Sequence, residues 1–436
     1  MEAAPKRARA GGGEAPDRLS ALPDELLRRV LSFLPSRQAV QTTVLSKRWI
    51  DLWRSMPAID LNIMDFECGS PAPGQYEKTM WGKMENFTTN LLMRHRAPRL
   101  DAFRLRTRFI CRRDVDRWIR RAIEYCPVEF EITVLSSVSY QPPKLFSCHL
   151  KRLVLSGVYL EHNFGEQLRS ECPVLEDLVL RGCREFTGLH SDTLKKLVVH
   201  TCSSRVADEL VIRAPSLASL YLEIPFYTYK NGVLLDTEKF LVEASISLAF
   251  DELSRRGEAI LLGSLFNVTS LELKSFNAMA ILHKEFDKSP VFDNLRTLSL
   301  NCCFHCKHDV NKFKALGKLL QKLPNLEKLS LKNFWYDEGT EREVQKFQRS
   351  TLKTVRPVVG PNEFPILENL RTVLLDECDL RDNIRLLCHF LQSSPNLEKL
   401  TVRLCKLPKV LEGKEKPGRR RDIVSSRPLF VSSGRS

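Results

Sequence analysis

Residues 19 to 56 read LSALPDELLRRVLSFLPSRQAVQTTVLSKRWIDLWRSM, and this stretch encodes three short helices. Pro23 suits a first helical position, and Asp24 and Glu25 favour the positive end of the helix dipole. Leu26, Leu27, Val30, Leu31 and Leu34 recur at helical spacing, with Phe33 on a flank. Pro35 ends this helix. Ser36 is placed to cap a second helix carrying Ala39, Val40 and Val44, and Ser46 a third carrying Trp49, Ile50, Leu52 and Trp53. Six of the nine residues from Leu26 to Leu34 are apolar, so the first helix has more than one apolar face. A unit of roughly 40 residues is at the lower limit for an independent core. Part of this surface is therefore expected to cover a partner, since apolar patches rimmed by polar residues mark interfaces. The alternative is that the surplus packs onto the rest of this chain.

The run Leu22-Pro23-Asp24-Glu25-Leu26-Leu27, followed by Val30-Leu31-Ser32-Phe33-Leu34-Pro35 and Leu45-Ser46-Lys47-Arg48-Trp49, closely resembles the F-box of plant proteins. The resemblance implies docking on the Skp-family adaptor of a cullin-based SCF ubiquitin ligase, with the rest of the chain capturing a target protein. It places Leu22, Pro23, Leu26, Val30, Leu34, Val40 and Trp49 among the adaptor-facing or supporting residues. Those two roles are not separable from sequence.

The chain has room for one small and one large domain at 436 residues, and a hydrophobic content of 43% is ordinary for a globular protein. The segment 1–16 is rich in Ala, Gly and Pro, lacks an apolar core and is expected to be a disordered basic N-terminus rather than a secretory signal. No apolar run approaches the roughly 20 residues that cross a bilayer. Asn86-Phe87-Thr88 and Asn267-Val268-Thr269 match a glycosylation pattern that has no meaning without secretion. Nucleus and cytoplasm are the expected compartments. The net charge of +14 is concentrated partly in the ends, at Lys6, Arg7 and Arg9 and at Lys414, Lys416 and Arg419 to Arg421. Such clusters read as solvated tails or as a weak nuclear-import signal.

Pro57 to Leu61 reads as a short strand, the Gly- and Pro-bearing residues 67–76 as a loop, and 77–96 as a helix with Met80, Met84, Phe87, Leu91 and Leu92 on one face. From there a repeat dominates. The pattern L-x-x-L-x-L begins at Leu100, Leu150, Leu175, Leu194, Leu217, Val268, Leu295, Leu326, Leu370 and Leu397. Several spacings fall in the leucine-rich-repeat range. Degenerate units are expected near Phe130-Ile132-Val134 and Ile246-Leu248, and a charged insertion, helical in character, at 337–350. In each strand the leucines point inward, and stacked units bury them in one continuous core beneath a parallel sheet. The outward residues are Asp177, Val179, Arg181, Lys196, His200, Tyr221, Glu223, Lys328, Lys332, Lys399 and Arg403. Arg181, Tyr221, Lys332 and Arg403 are the candidate target-binding residues among them. The mixed signs argue against a nucleic-acid groove.

Of the thirteen cysteines, Cys183, Cys202, Cys303, Cys378 and Cys405 stand three residues beyond the last leucine position of their units. Val158, Phe276 and Phe334 occupy the same place in other units, so cysteine behaves there as a small buried apolar residue. Free buried thiols fit a reducing compartment. Cys302-Cys303-Phe304-His305-Cys306-Lys307-His308 packs five potential zinc ligands into one segment, whereas tetrahedral zinc takes ligand pairs from two; no metal and no cofactor is expected. No G-x-S-x-G, phosphate-binding loop or H-E-x-x-H is present, and no catalytic residue is assigned.

Phe364 to Cys405, including Leu370 to Cys378 and Phe390 to Leu400, resembles the terminal FBD segment of plant F-box/leucine-rich-repeat proteins. Read from the residues, it is a strand, a helix at 383–392 and a second strand.

The expected fold is α+β: a three-helix F-box at 17–56, then an α/β leucine-rich-repeat solenoid with a parallel sheet. Residues 57–99 form its linker and N-terminal cap, 100–405 the repeats with 364–405 FBD-like, and 406–436 a disordered basic tail. The function implied is a non-catalytic substrate receptor of an SCF-type ubiquitin ligase. Its partners are the Skp-family adaptor, through it a cullin, and a protein target, with neither nucleic acid nor membrane. The alternative is a repeat adaptor that binds the Skp-family protein without promoting degradation. A helix-turn-helix reading fails because Trp49, Leu52 and Trp53 make the third helix apolar.

Overall fold

The structure is a computed structural model that describes residues 19, 21–67, 76–108, 111–135, 140–225, 228–237, 240–248, 253–303, 309–334, 364–378, 380, 391–405 and 423–425. The chain divides into two compact units, Met1–Phe130 and Glu131–Ser436.

The first unit opens with α1 (Asp24–Leu31), α2 (Ser36–Gln41), a 3₁₀ turn at Thr42–Val44 and α3 (Arg48–Arg54). The helix starts differ from the sequence reading. Pro23 is the cap rather than the first helical residue, and its carbonyl accepts the Leu27 N–H at 3.1 Å. Pro35 likewise caps α2, which frees the Ser36 hydroxyl, buried completely, to accept the Asp60 N–H at 2.8 Å. Ser46 provides no side-chain cap. The residue at the cap of α3 is Lys47, which already has helical dihedrals of φ −58° and ψ −31° and makes no side-chain cap bond.

Next come β1 (Ala58–Asn62), α4 (Tyr76–Arg94), β2 (Ala102–Thr107) and α5 (Arg112–Ile123). The two strands run parallel, Ala58 beside Ala102 and Asn62 beside Arg106, with α4 as the crossover. The segment 57–99 thus contributes a ladder strand of its own. The expected loop at 67–76 falls mostly outside the described residues. Residues 56 and 57 mark no break in packing. The Arg37 guanidinium donates to the Asp65 carbonyl and lies 5.2 Å over the Phe66 ring, and the Arg96 N–H bonds the Arg54 carbonyl at 2.7 Å. Trp49, Leu52, Trp53 and Met56 share this unit's buried core with Ile59, Leu61, Met84 and Leu91.

The strand β3 (Glu129–Val134) spans the boundary between units, with Phe130, Ile132 and Val134 buried. The second unit then contains β4 (Arg152–Ser156), α6 (Phe164–Glu171), β5 (Asp177–Arg181), β6 (Gly188–His190), β7 (Lys196–His200), β8 (Glu209–Arg213), β9 (Ser219–Ile224) and β10 (Gly232–Asp236). After these come β11 (Glu243–Leu248), α7 (Arg255–Ser264), β12 (Ser270–Lys274), α8 (Ala278–Ile281), α9 (Lys284–Asp287), β13 (Thr297–Asn301), α10 (Asp309–Leu320), β14 (Lys328–Lys332), β15 (Thr372–Asp376), β16 (Lys399–Arg403) and β17 (Ile423–Ser425). One ladder runs β4-β5-β7-β9-β11-β12-β13-β14-β15-β16, parallel throughout. The strand β17 adds antiparallel to β16. So the tail expected to be disordered contributes three residues of strand, and the rest of 406–436 lies outside the described residues, as do 1–16 and the insertion at 337–350. Most of the expected helix at 383–392 does too.

The leucine pattern is the core. The pattern residues from the Leu150 unit to the Leu370 unit are each at most 2% exposed, which is what a stacked array requires of its inward side chains. Leu397, Leu400 and Val402 near the array's end are only half-buried. The cysteine position needs more than alternation, because a residue three beyond an inward leucine would point outward in a continuous strand. A residue of left-handed conformation corrects this. Gly157, Gly182, Thr201, Ser275, Cys302, Asn333, Glu377 and Leu404 all have φ between 49° and 69°, each just before the inward residue. The Cys183, Cys303 and Cys378 thiols then donate to the carbonyls of Leu155, Leu273 and Leu331 on the preceding repeat, at 3.2–3.4 Å.

Three units also carry a second strand on the return path. Strands β6, β8 and β10 form a separate parallel sheet in which Gly188 pairs Val211 and Glu209 pairs Gly232. Gly188 has φ 138°, and a Cβ there would stand 2.1 Å from the Val211 carbonyl oxygen, so this sheet requires glycine.

Candidate functional site

The helix α1 presents two faces. Leu27 and Leu31, four residues apart, point into the core at 0% and 1% exposure. Leu26, Val30 and Phe33 lie on another face at 51%, 46% and 79% exposure. Val44 and Leu45, at the end of the 3₁₀ turn, are also exposed, as is Leu19. Six of the nineteen exposed large apolar side chains among the described residues thus fall between 19 and 45. No scattering of single surface hydrophobics gives that concentration.

Of the residues named from sequence, Pro23, Leu26 and Val30 are exposed, and Leu22, Leu34 and Val40 are half-buried. Trp49 is buried in the core and supports the surface from beneath. Sequence reasoning missed Phe33, Val44 and Leu45 as surface residues. Helical spacing counts apolar residues, but in helices this short it does not say which remain uncovered.

Arg48 ties the parts together. Its Nε and Nη2 donate to Asp24 Oδ1 at 2.7 and 2.5 Å, and Nη2 also to the Leu22 carbonyl at 2.7 Å. The start of α3 is thereby fixed to the start of α1, so the Leu22-Pro23 turn and the exposed face of α1 keep one geometry.

The second candidate surface is the outward face of the ladder. In-register pairing aligns Arg181, His200, Glu223, Ser247, Lys274, Asn301, Lys332, Asp376 and Arg403 in one row. Tyr221 sits in the adjacent row, between Val198 and Ser245. Arg181 and Arg403 stand nine strands apart counting both, about 38 Å along the sheet at the usual strand spacing, so the four residues named from sequence do not form one compact site. Val179, expected on the offered surface, faces outward but is buried at 3%, beside Val154 of the neighbouring strand, which is likewise buried at 6%.

Around Tyr221 the face is ordered by hydrogen bonds. Its phenol donates to Glu223 Oε2 at 2.8 Å, His200 Nε2 lies 3.3 Å from the same oxygen, and the two rings stack with centroids 6.1 Å apart. Burial, then the bond to Glu223, pushes the Tyr221 phenol up to about 12. On the next strands Ser245 donates to Glu272 Oε2 at 2.6 Å and Lys274 pairs with Glu272 Oε1 at 3.3 Å. Sequence reasoning did not find Ser245, Glu272 and Lys274. Farther along, Lys332 lies 3.6 Å from both Asp376 and Glu377.

Among the described residues no group of three or more His, Cys, Asp and Glu could hold a metal ion, and no helix is long and apolar enough to cross a membrane. Residues 304–308 of the zinc-like segment lie outside the described residues; Cys303 is a buried core thiol pushed up to about 12 by burial.

A model of the F-box domain matches residues 19–59. The MEIOTIC F-BOX protein MOF of Oryza sativa subsp. japonica is 35% identical over 364 residues, covering 76% of this chain and 74% of that protein. A putative F-box/LRR-repeat protein of Arabidopsis thaliana is 28% identical over 368 residues, covering 74% and 80%. An FBD-associated F-box protein of the same plant is 28% identical over 351 residues, covering 72% and 77%.

Proposed function

The chain belongs to the plant F-box proteins with leucine-rich repeats, and from that premise we propose that it is the substrate-recognition subunit of an SCF-type ubiquitin ligase. The observation that carries this reading is the cluster of exposed apolar side chains on Leu26, Val30, Phe33, Val44 and Leu45 within the matched domain. These, with Pro23, anchor the Skp-family adaptor. Leu22, Leu34, Val40 and Trp49 support them. The outward face of the ladder holds the protein target, with Arg181, Tyr221, Lys332 and Arg403 as contacts spread along it. The subunit makes and breaks no bonds. It raises the local concentration of the target beside a ubiquitin-conjugating enzyme. Nucleus and cytoplasm are the compartments in which this would operate.

The test is affinity purification of the full chain from plant cells under proteasome inhibition, read by mass spectrometry. Recovery of the adaptor and cullin with a protein whose half-life lengthens when the chain is depleted supports the receptor reading. Recovery of the adaptor with no protein so stabilised supports the plain adaptor instead.

A further inference from the structure

The cysteine position of the repeats forms a row of its own. Pairing of Tyr159 with Arg184 and of Arg184 with Ser203 sets Val158, Cys183 and Cys202 side by side on successive turns. Farther along, the register of Asn301 with Lys332, Lys332 with Asp376 and Asp376 with Arg403 sets Cys303, Phe334, Cys378 and Cys405 in sequence. Along this row two cysteines are neighbours twice, as Cys183 with Cys202 and as Cys378 with Cys405. Cys303 stands between Phe276 and Phe334.

The two pairs share one geometry and differ in access. Cys183 and Cys202 are both fully buried. Cys378 is buried, but Cys405 is half-exposed. In each pair the two thiols are close enough to shift one another's acidity. Adjacent strands lie about 4.8 Å apart, inside the Cα separation a disulfide spans.

We propose that Cys378 and Cys405 are a peroxide-sensitive thiol pair that closes to a disulfide across β15 and β16. The Cys405 thiolate attacks a peroxide oxygen. The O–O bond breaks, an S–OH forms, and the departing hydroxide leaves as water. The Cys378 thiol then loses its proton and attacks the Cys405 sulfur; the S–S bond forms, the S–O bond breaks, and a second water leaves. The two sulfurs give up two electrons and the two peroxide oxygens take them. The direction of attack follows from access and from acidity. The interaction between the two thiols lowers the pKa of Cys405 and raises that of Cys378. Exposed thiols of lowered pKa are the ones that oxidise first. The product staples β16, whose inward Leu400 and Val402 are only half-buried, to the strand before it.

The test uses the full chain, exposed to hydrogen peroxide in native buffer, alkylated and mapped by non-reducing peptide mass spectrometry. A 378–405 cross-linked peptide is expected in most chains, while Cys183, Cys202 and Cys303 stay unmodified until the protein is denatured. Cys405→Ser abolishes the cross-link. Cys378→Ser leaves a sulfenic acid at Cys405 that dimedone traps, so the pair remains testable if either variant folds. The proposal is overturned if Cys405 passes to sulfinic acid with no cross-link, if nothing reacts, or if Cys183 and Cys202 join as fast as Cys378 and Cys405.

Discussion

The His95 imidazole lies 3.0 Å from the Met56 carbonyl, and that oxygen only accepts, so His95 Nε2 carries the proton. The bond fixes the end of the three-helix segment to the end of α4. The other ring nitrogen, Nδ1, is buried with no hydrogen-bond partner, and the ring packs edge-on against Tyr125. Burial, opposed by the Met56 bond and reinforced by the nearby Arg121 charge, lowers the His95 pKa.

A pH dependence follows. The folded state resists protonating His95, while the unfolded chain takes up the proton near the ordinary value of about 6.5. The stability contribution is fully present above that value. It falls as pH drops below it, by at most roughly 1.4 kcal/mol per unit until the folded group itself titrates. His95→Gln, which keeps a donor for Met56, should flatten this part of the curve. Denaturant melts of both proteins between pH 7.5 and 5 check it; parallel curves would remove His95 as the cause.

Surface and core variants of the F-box should fail in different ways. Leu26→Asp with Val30→Asp should cut adaptor affinity by at least about 2 kcal/mol, as lost interface anchors do, with melting unchanged. Trp49→Ala should cost about 3–5 kcal/mol of stability through the cavity it leaves. Calorimetric binding beside thermal melts separates the two, and full adaptor affinity in the double variant would remove this face from the interface.

Ser36→Ala should destabilise the first unit by about 1–3 kcal/mol, because the Asp60 N–H loses the Ser36 hydroxyl as its acceptor within a packed unit. Amide exchange at Asp60 should accelerate in the variant. An unchanged exchange rate would mean that another acceptor takes over.

Two glycines separate backbone strain from collision. A Cβ at Gly182 meets nothing within 4 Å, so Gly182→Ala should cost only the left-handed backbone penalty of about 1–2 kcal/mol. Gly188→Ala adds a clash with the Val211 carbonyl and should cost clearly more. Equal losses in chemical denaturation would show that β6 and β8 separate freely.

The ladder was legible because each unit repeats one alternation, and Leu153-Leu155 or Leu298-Leu300 declare their face unaided. Even the weak units at Phe130 and Ile246 kept the inward positions apolar. The second sheet was not legible. Its β6 is three residues long, too short for a period to register, and depends on a glycine whose need appears only beside Val211. In the F-box, spacing located the helices, but cover decides role: Trp49 is inside and Phe33 outside though both are large and apolar. That cover comes partly from residues 57–96, which is why Met56 is not a seam. Around Tyr221, Glu223 lies two residues on in the same strand, but the stacking of His200 and the Ser245–Glu272 bond are set by strand register across β7, β9, β11 and β12, information that no single segment contains.

The left-handed residue that ends the strands has a consequence for how such a chain can diversify. Glycine, threonine, serine, cysteine, asparagine, glutamate and leucine all occupy it, so the turn is enforced by the stack and not by the residue standing there. The inward leucines and this turn set the frame, while the outward rows read as different as Arg181, Ser247 and Asp376 without disturbing it. Substitutions on that face therefore change the chemistry it offers at little cost to folding, and a lineage can vary it one side chain at a time while its core stays the same.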